Sequence, residues 1–328
     1  MLKPAENADG STRQVHLGAW KRQEFDARDK SHSLKLQGAL LDRPTSVDWR
    51  RMCSPVEDQG ELGSCTACMM AGIVEFLQLK RTSKTLGAVV HDTGAPNVSV
   101  SDVAVSSTGI ITYTTTITPS VTPPPPTPDQ TPTFVNVSRL FGYYTTRMLS
   151  NTTGEDSGAS IRDTMKAANK YGCADELNWP YEINKFTKRP PQTLFDAAAS
   201  KKITSYHAIA DGDIETMKTA LASGFMIGFG FDVYSAFMTH KMASDGLLCR
   251  PKAGEIPQGG HAVALVGYDE KRVMPDGSVG SFLVRNSWGR NWGFEGSGYY
   301  WQAANYIGDP KLCSDFWVVQ LNPFAQAA

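Results

Sequence analysis

The stretch from Cys65 to Arg81 constrains this chain more than any other. It is apolar nearly all round for its first three turns, and Lys80, Arg81 and Lys84 gather at its end. A helix without a polar face is normally buried on every side, and basic residues suit the partial negative charge of a helix C-terminus. The sequence therefore predicts a buried helix over 65–81. Just before it runs Gln59-Gly60-Glu61-Leu62-Gly63-Ser64, so a Gly-Ser turn delivers a thiol to the first helical turn. The positive end of the helix dipole favours thiolate over thiol there. Gln59 offers a side-chain amide near the same point, suited to stabilising an oxyanion. Against this stands a plain alternative, in which Cys65 is one more small buried hydrophobe. The segment taken alone leaves both open.

Beyond this helix the texture changes along the chain. A second helix is expected from a cap at Asp156 or Ser157, with Ile161, Met165 and Ala168 inward and Gly172 closing it. A third starts at Asp213, with Ile214, Met217 and Leu221 inward and Gly224 at its end. Strands follow at 225–231, 261–267, 281–286, 299–301 and 316–321, and Asp276-Gly277 supplies a hairpin turn. Helices first and antiparallel strands later indicate an α+β fold in two lobes. Residues 85–136 are different: Thr- and Pro-rich, without Lys or Arg. They read as a surface insertion holding at most one hairpin, with an extended Pro123–Pro126 run.

A nucleophilic thiol needs a base. His261 opens the apolar run Ala262-Val263-Ala264-Leu265-Val266, and Gly259-Gly260 give it room. His207 is the competitor and reads as an ordinary strand or loop histidine. Asn286 ends another strand, followed by Ser287-Trp288-Gly289; such an Asn can orient an imidazole while the Trp shields the bond from water. The bland reading is a glycine-rich turn packed by aromatics.

The 328 residues carry 32 Lys plus Arg against 33 Asp plus Glu. That balance argues against gripping nucleic acid or an anionic membrane as the main task. No apolar run approaches the roughly 20 residues of a membrane helix, and residues 1–10 lack the apolar core of a secretory signal. The compartment stays unknown. Paired CxxC zinc spacings and phosphate-binding glycine loops are absent from the sequence.

Three segments, in order, resemble the papain-type cysteine proteases: Asp58-Gln59-Gly60 through Cys65; Gly260-His261-Ala262-Val263 with Val266-Gly267-Tyr268; and Asn286-Ser287-Trp288-Gly289 with Trp292-Gly293. Val47-Asp48-Trp49-Arg50 and Trp179-Pro180-Tyr181 also fit. Ser138-Arg139-Leu140-Phe141 to Arg147, with Asp156-Ser157-Gly158, is similar to the bacterial and viral branch. Cys65 and His261 are 196 positions apart, or 144 without the insertion, against about 130 to 150 in such enzymes. The resemblance implies a helical lobe and an antiparallel, β-barrel-like lobe with a groove between them. It implies a cysteine endopeptidase in which Cys65 attacks, His261 exchanges the proton, Asn286 holds the ring and Gln59 lines the oxyanion hole. Gly158, Gly260 and Trp288 would face the substrate, a peptide or protein. No cofactor or metal is implied, and a monomer is expected. A transpeptidase or acyl transferase on the same residues, or a silent papain-fold binding protein, are the alternatives.

The expected organisation is a prosegment at 1–44, a helical lobe at 45–204, a strand-rich lobe at 205–321 and a tail at 322–328. The prosegment is expected to lie over the groove and inhibit, anchored by Trp20 and Phe25. Two departures from the family pattern stand out: Leu62 replaces a cysteine and Thr66 an aromatic residue. By resemblance, Cys249 would pair with Cys313, and Cys53 with Cys173.

Overall fold

The structure is a computed structural model that describes residues 1–24, 26, 29, 43–82, 97–105, 111–118 and 135–321. Phe25, Lys84, the Pro123–Pro126 run and the tail at 322–328 lie outside them. Strands β1 (Leu2–Glu6) and β2 (Thr12–His16) form an N-terminal hairpin, and β3 (Ser46–Asp48) precedes the long helix α1 (Cys65–Thr82). Strands β4 (Asn97–Val105) and β5 (Ile111–Thr118) pair antiparallel within the Thr/Pro-rich tract. Four elements follow: α2 (Arg139–Leu149), α3 (Ile161–Tyr171), α4 (Gln192–Ala198) and β6 (Ile203–Ile209). The rest of the chain contains α5 (Ile214–Ala222), β7 (Ile227–Val233), α6 (His240–Asp245), β8 (Leu247–Leu248), β9 (Gly259–Val273), β10 (Val279–Arg285), β11 (Tyr299–Ala303), α7 (Ala304–Ile307) and β12 (Cys313–Leu321).

Every residue of α1 from Cys65 to Phe76 is buried, as an all-round apolar helix must be. Helices α2 and α3 pack on it from one side, and β7, β9 and β12 from the other. Its far end is tied down by Lys80, whose ammonium donates to the carbonyls of Ser223 (3.2 Å) and Gly224 (2.9 Å) just past α5. This satisfies carbonyls that a helix end leaves unpaired.

The strand-rich part is one large sheet with the order β6-β12-β7-β9-β10-β11-β8, to which β3 adds by pairing with β9. The path is open at both ends among the described residues, so the expected barrel-like lobe is an open sheet. Its neighbours are antiparallel except for β8 on β11. Strand β9 is far longer than the apolar run suggested, because its second half extends past the core to pair with β10 through the Gly277 turn (φ 80°).

The expected third helix starts at its Asp213 cap, whose carboxylate accepts from the Thr216 N–H. The second begins later than expected, with Ser160 as its cap. Asp156, Ser157 and Gly158 are held outside the helix, for Asp156 accepts from the Gly63 N–H and Gly158 has φ 67°. Helix α2 went unread in the sequence; its Ser138 hydroxyl accepts from the Phe141 N–H. The two expected disulfides do not form, and all six cysteines are free thiols. Cys313 is fully buried and accepts from Gln302 Nε2 (3.6 Å), whereas Cys249 is partly exposed. The Cys53 thiol donates to the Trp49 carbonyl (3.3 Å), and Cys173 is buried behind α3.

Candidate active site

Cys65 begins α1, and its approach is fixed from three sides. The Ser64 carbonyl accepts from Ala67 (2.9 Å) and Cys68 (3.0 Å), closing the first turn. The Gly63 N–H donates to the Asp156 carboxylate (3.1 Å). The Tyr181 hydroxyl donates to the Gln59 carbonyl (2.9 Å) and stands 2.5 Å from Ser64 Oγ. The Trp-Pro-Tyr motif thus clamps the loop that carries the thiol.

The strand-rich lobe supplies the other groups. His261 lies near the start of β9, opposite Phe231 of β7. Its Nε2 donates to Asn286 Oδ1 at 2.8 Å, in a buried bond. A neutral ring that donates from Nε2 has an unprotonated Nδ1, and here Nδ1 is buried without a partner. The backbone of Ala262, next in the chain, lies close enough to the Cys65 sulfur to favour its thiolate form. Cys65 and the His261 stretch of β9 therefore meet. Trp288 covers the imidazole, with ring centroids 5.4 Å apart, and is itself backed by Phe237 at 5.0 Å. His207 lies on β6, separated from β9 by β12 and β7, and takes no part.

Gln59 joins the two lobes. Its backbone N–H donates to the Ser287 carbonyl (2.9 Å), and its Oε1 accepts from Ser287 Oγ (2.6 Å). One amide hydrogen goes to the Leu62 carbonyl (2.9 Å). These bonds fix the orientation of the amide. Sequence reading quoted Ser287 within its motif without giving it this part; only the folded chain brings it to Gln59. Thr66 is buried with its hydroxyl unpartnered, so a small side chain fills the place of an aromatic.

The N-terminal segment lies across this site. The Ala159 N–H donates to the Ala19 carbonyl (2.8 Å), and the Lys21 N–H to the Ala159 carbonyl (3.0 Å), a parallel pairing about Trp20. The Gly18 N–H donates to the Gly260 carbonyl (2.9 Å). At Gly158 a Cβ would come within 2.1 Å of the Ala19 oxygen, so the close approach requires glycine. On the other side Arg13 donates to the Trp288 carbonyl (2.5 Å) and pairs with Asp58. Cys65 and His261 are both fully shielded. Burial pushes the Cys65 thiol up to about 12 and His261 down to about 4, so both are neutral in this covered arrangement.

A profile of the papain family cysteine proteases matches residues 149–313, half of the chain, and spans His261 and Asn286. An uncharacterised peptidase C1-like protein of Acanthamoeba polyphaga mimivirus is 42% identical over 190 residues, 56% of this chain and 58% of that one. A cathepsin L-like peptidase of Aedes aegypti is 24% identical over 83% of this chain and 66% of its own length. The chain thus spans less than two thirds of the length of these relatives. Among solved structures, xylellain, a cysteine protease from Xylella fastidiosa, superposes with a TM-score of 0.68 at 28% identity, covering 98% of this chain and 99% of that one. A digestive procathepsin L from Tenebrio molitor larval midgut shares the fold at a TM-score of 0.54 and 20% identity, over 90% and 76% of the two chains. The chain belongs to the papain family of cysteine proteases.

Proposed function

We propose that this chain is a cysteine endopeptidase held latent by its N-terminal segment. The observation that carries this reading is the ring-fixing bond from His261 to Asn286 beside the helix-terminal thiol of Cys65. Once the segment leaves and water enters, the thiol proton passes to His261 Nδ1, and thiolate and imidazolium stabilise each other. The thiolate attacks the scissile carbonyl, the Gln59 amide and the Cys65 N–H receive the oxyanion, and His261 protonates the leaving amine. Water then releases the acyl group. The residues bordering Ala19 and Gly18, namely Gly158, Ala159 and Gly260, take the peptide backbone.

Mass spectrometry of peptide products, with and without an added amine nucleophile, tests the reaction class. Hydrolysed products that persist in the presence of the amine support a peptidase; ligated products would make it a transferase. An epoxide reagent that fails to titrate Cys65 under conditions of hydrolysis would remove the thiol from the mechanism.

Two further outcomes follow from the geometry. Ser287→Ala frees the Gln59 amide to rotate and is expected to lower kcat about tenfold with little change in KM, since oxyanion contacts act in the transition state. A matched rise in KM with unchanged kcat would show that the bond serves substrate binding instead. The second outcome concerns pH. In the covered site, values of about 12 and about 4 leave one proton shared by Cys65 and His261 between those limits. The uncovered ion pair also holds one proton, so opening moves a proton without net uptake. Alkylation of Cys65 in the full chain is therefore expected to be nearly flat from about pH 5 to 8. A rate that climbs tenfold per pH unit toward about 8.5 would be that of an isolated thiol.

A further inference from the structure

The hairpin of β4 and β5 pairs with no other strand: among the described residues it is a two-stranded sheet of its own. Its register sets Val98, Val103 and Val105 opposite Ile117, Tyr113 and Ile111. Ser99, Asp102 and Ala104 fall opposite Thr116, Thr114 and Thr112. Successive residues of a strand alternate between the two faces of a sheet. One face of the hairpin therefore gathers valine, isoleucine and tyrosine, and the other gathers threonine and small polar residues. Two strands alone are marginal in water; three or more strands sharing an apolar face are what make such a sheet stable. The hairpin is thus one half of a sheet that its own chain does not complete among the described residues.

Its two outer edges differ. Strand β4 carries Asp102, and its pairing slips by one residue at Ser101, between Val100 and Asp102. A charge and a bulge are the devices that keep an edge from recruiting another strand. Strand β5 has neither. Its sequence Ile-Thr-Tyr-Thr-Thr-Thr-Ile-Thr contains no charge, no proline and no glycine, and every one of its residues is paired in unbroken register on the β4 side. On its outer side this strand offers a flat, uncharged row of backbone donors and acceptors, a template for β-strand addition.

The sequence of that edge says which strand it suits. Residues 111–117 read nearly the same in both directions about Thr114. When β5 is laid antiparallel on another β5 with Thr114 at the centre, Ile111 faces Ile117, Thr112 faces Thr116, and Thr114 faces Thr114. Only the Tyr113–Thr115 pair is unlike. Matched β-branched pairs of this kind stabilise antiparallel strands, and a two-fold axis through one residue is the geometry of an isologous dimer. We infer that β5 is a self-association edge, and that two copies of this chain join β5 to β5 in a four-stranded sheet β4-β5-β5-β4. The dimer doubles the apolar face and leaves the guarded β4 strands outermost, which closes the growth of the sheet. A strand from an unrelated protein would gain nothing from the symmetry about Thr114. The assembly replaces the monomer expected from the sequence, and it stands apart from the peptidase reading because it uses none of the residues of that site.

Sedimentation velocity of the full-length chain over a dilution series tests it, with Cys65→Ala as the background so that the chain cannot cut itself. The expected species is a dimer of twice the chain mass that dissociates on dilution. Thr114→Lys brings two like charges face to face on the axis while keeping Asp102 opposite within each hairpin, and is expected to weaken the dimer about tenfold or more. A second arm does not rely on that variant folding well. Thr114→Cys places two thiols opposite each other across the axis, where paired residues of antiparallel strands stand about 4.5–5.5 Å apart, within reach of a disulfide. Mild oxidation followed by peptide mapping should find position 114 linked to position 114 of a second copy. Thr116→Cys, which faces Thr112 and lies far from its own mate, should not link to itself. A chain that stays monomeric throughout the series overturns the inference. So does a dimer in which position 114 gives no such link, because its copies meet on another surface.

Discussion

Cys65→Ala is expected to lower kcat on a peptide substrate by four or more powers of ten, on the order seen when the nucleophile of a catalytic unit is removed. No neighbour can replace it. Cys68 lies one turn deeper, fully buried, with its sulfur 3.8 Å from Ser64 Oγ. Burial drives the Cys68 thiol far above the ordinary range, so it offers no thiolate. The fold should survive, because the exchange removes a single sulfur and keeps a good helix former at the start of α1. Circular dichroism and the melting temperature should change little while turnover disappears. Residual hydrolysis within tenfold of the natural chain would place the nucleophile elsewhere.

The second large effect is on stability. Arg285 precedes Asn286 and is almost wholly buried. Its guanidinium donates to the Ser54 carbonyl (2.6 Å), the Pro55 carbonyl (2.8 Å), Ser54 Oγ (3.1 Å) and the Tyr299 hydroxyl (3.0 Å). Ser54 Oγ passes a hydrogen bond on to Glu75 of α1, whose other oxygen accepts from the Val137 N–H (2.7 Å). Glu57 lies close by, paired with Arg139 at 3.2 Å, and burial with the Glu75 charge pushes it up to about 8. The helix makes room for this cation at Gly72, where a Cβ would meet Arg285 Nε at 2.7 Å. A mid-helix glycine costs about 1 kcal/mol relative to alanine, and here the buried guanidinium is the reason for it. Arg285→Met keeps the length but strands the Ser54 and Pro55 carbonyls and removes the cation that faces Glu75 across Ser54. Breaking a buried ionic group from one side costs about 3–5 kcal/mol. Denaturant unfolding measures it. Arg285→Met with Glu75→Gln should recover part of the loss, because it removes the buried acid left without its cation. A loss below about 1 kcal/mol in the single variant would mean that water or rearranged side chains compensate.

Much of this architecture is written locally. An apolar stretch without a polar face can only be a buried helix, and α1 is one. The Asp213 cap acts within a few residues, so that helix start followed from sequence. The family was legible for the same reason, since each motif is a short contiguous string and only their order spans the chain. Where the sequence reading failed, the deciding contacts join distant segments. The second helix starts late because Asp156, read as a cap, is drawn instead to the Gly63 N–H. The disulfides inferred by resemblance are absent, for spacing says nothing about which thiols face each other. The sheet stays open because strand closure depends on twist and register summed over many pairs. The state of the site is likewise tertiary. A sequence places a thiol at a helix start and so favours thiolate, but burial in the folded chain reverses that preference by removing water. Residue type and local dipole thus determined what chemistry this chain could carry. Desolvation and long-range packing, which depend on every segment at once, decided which protonation state is present.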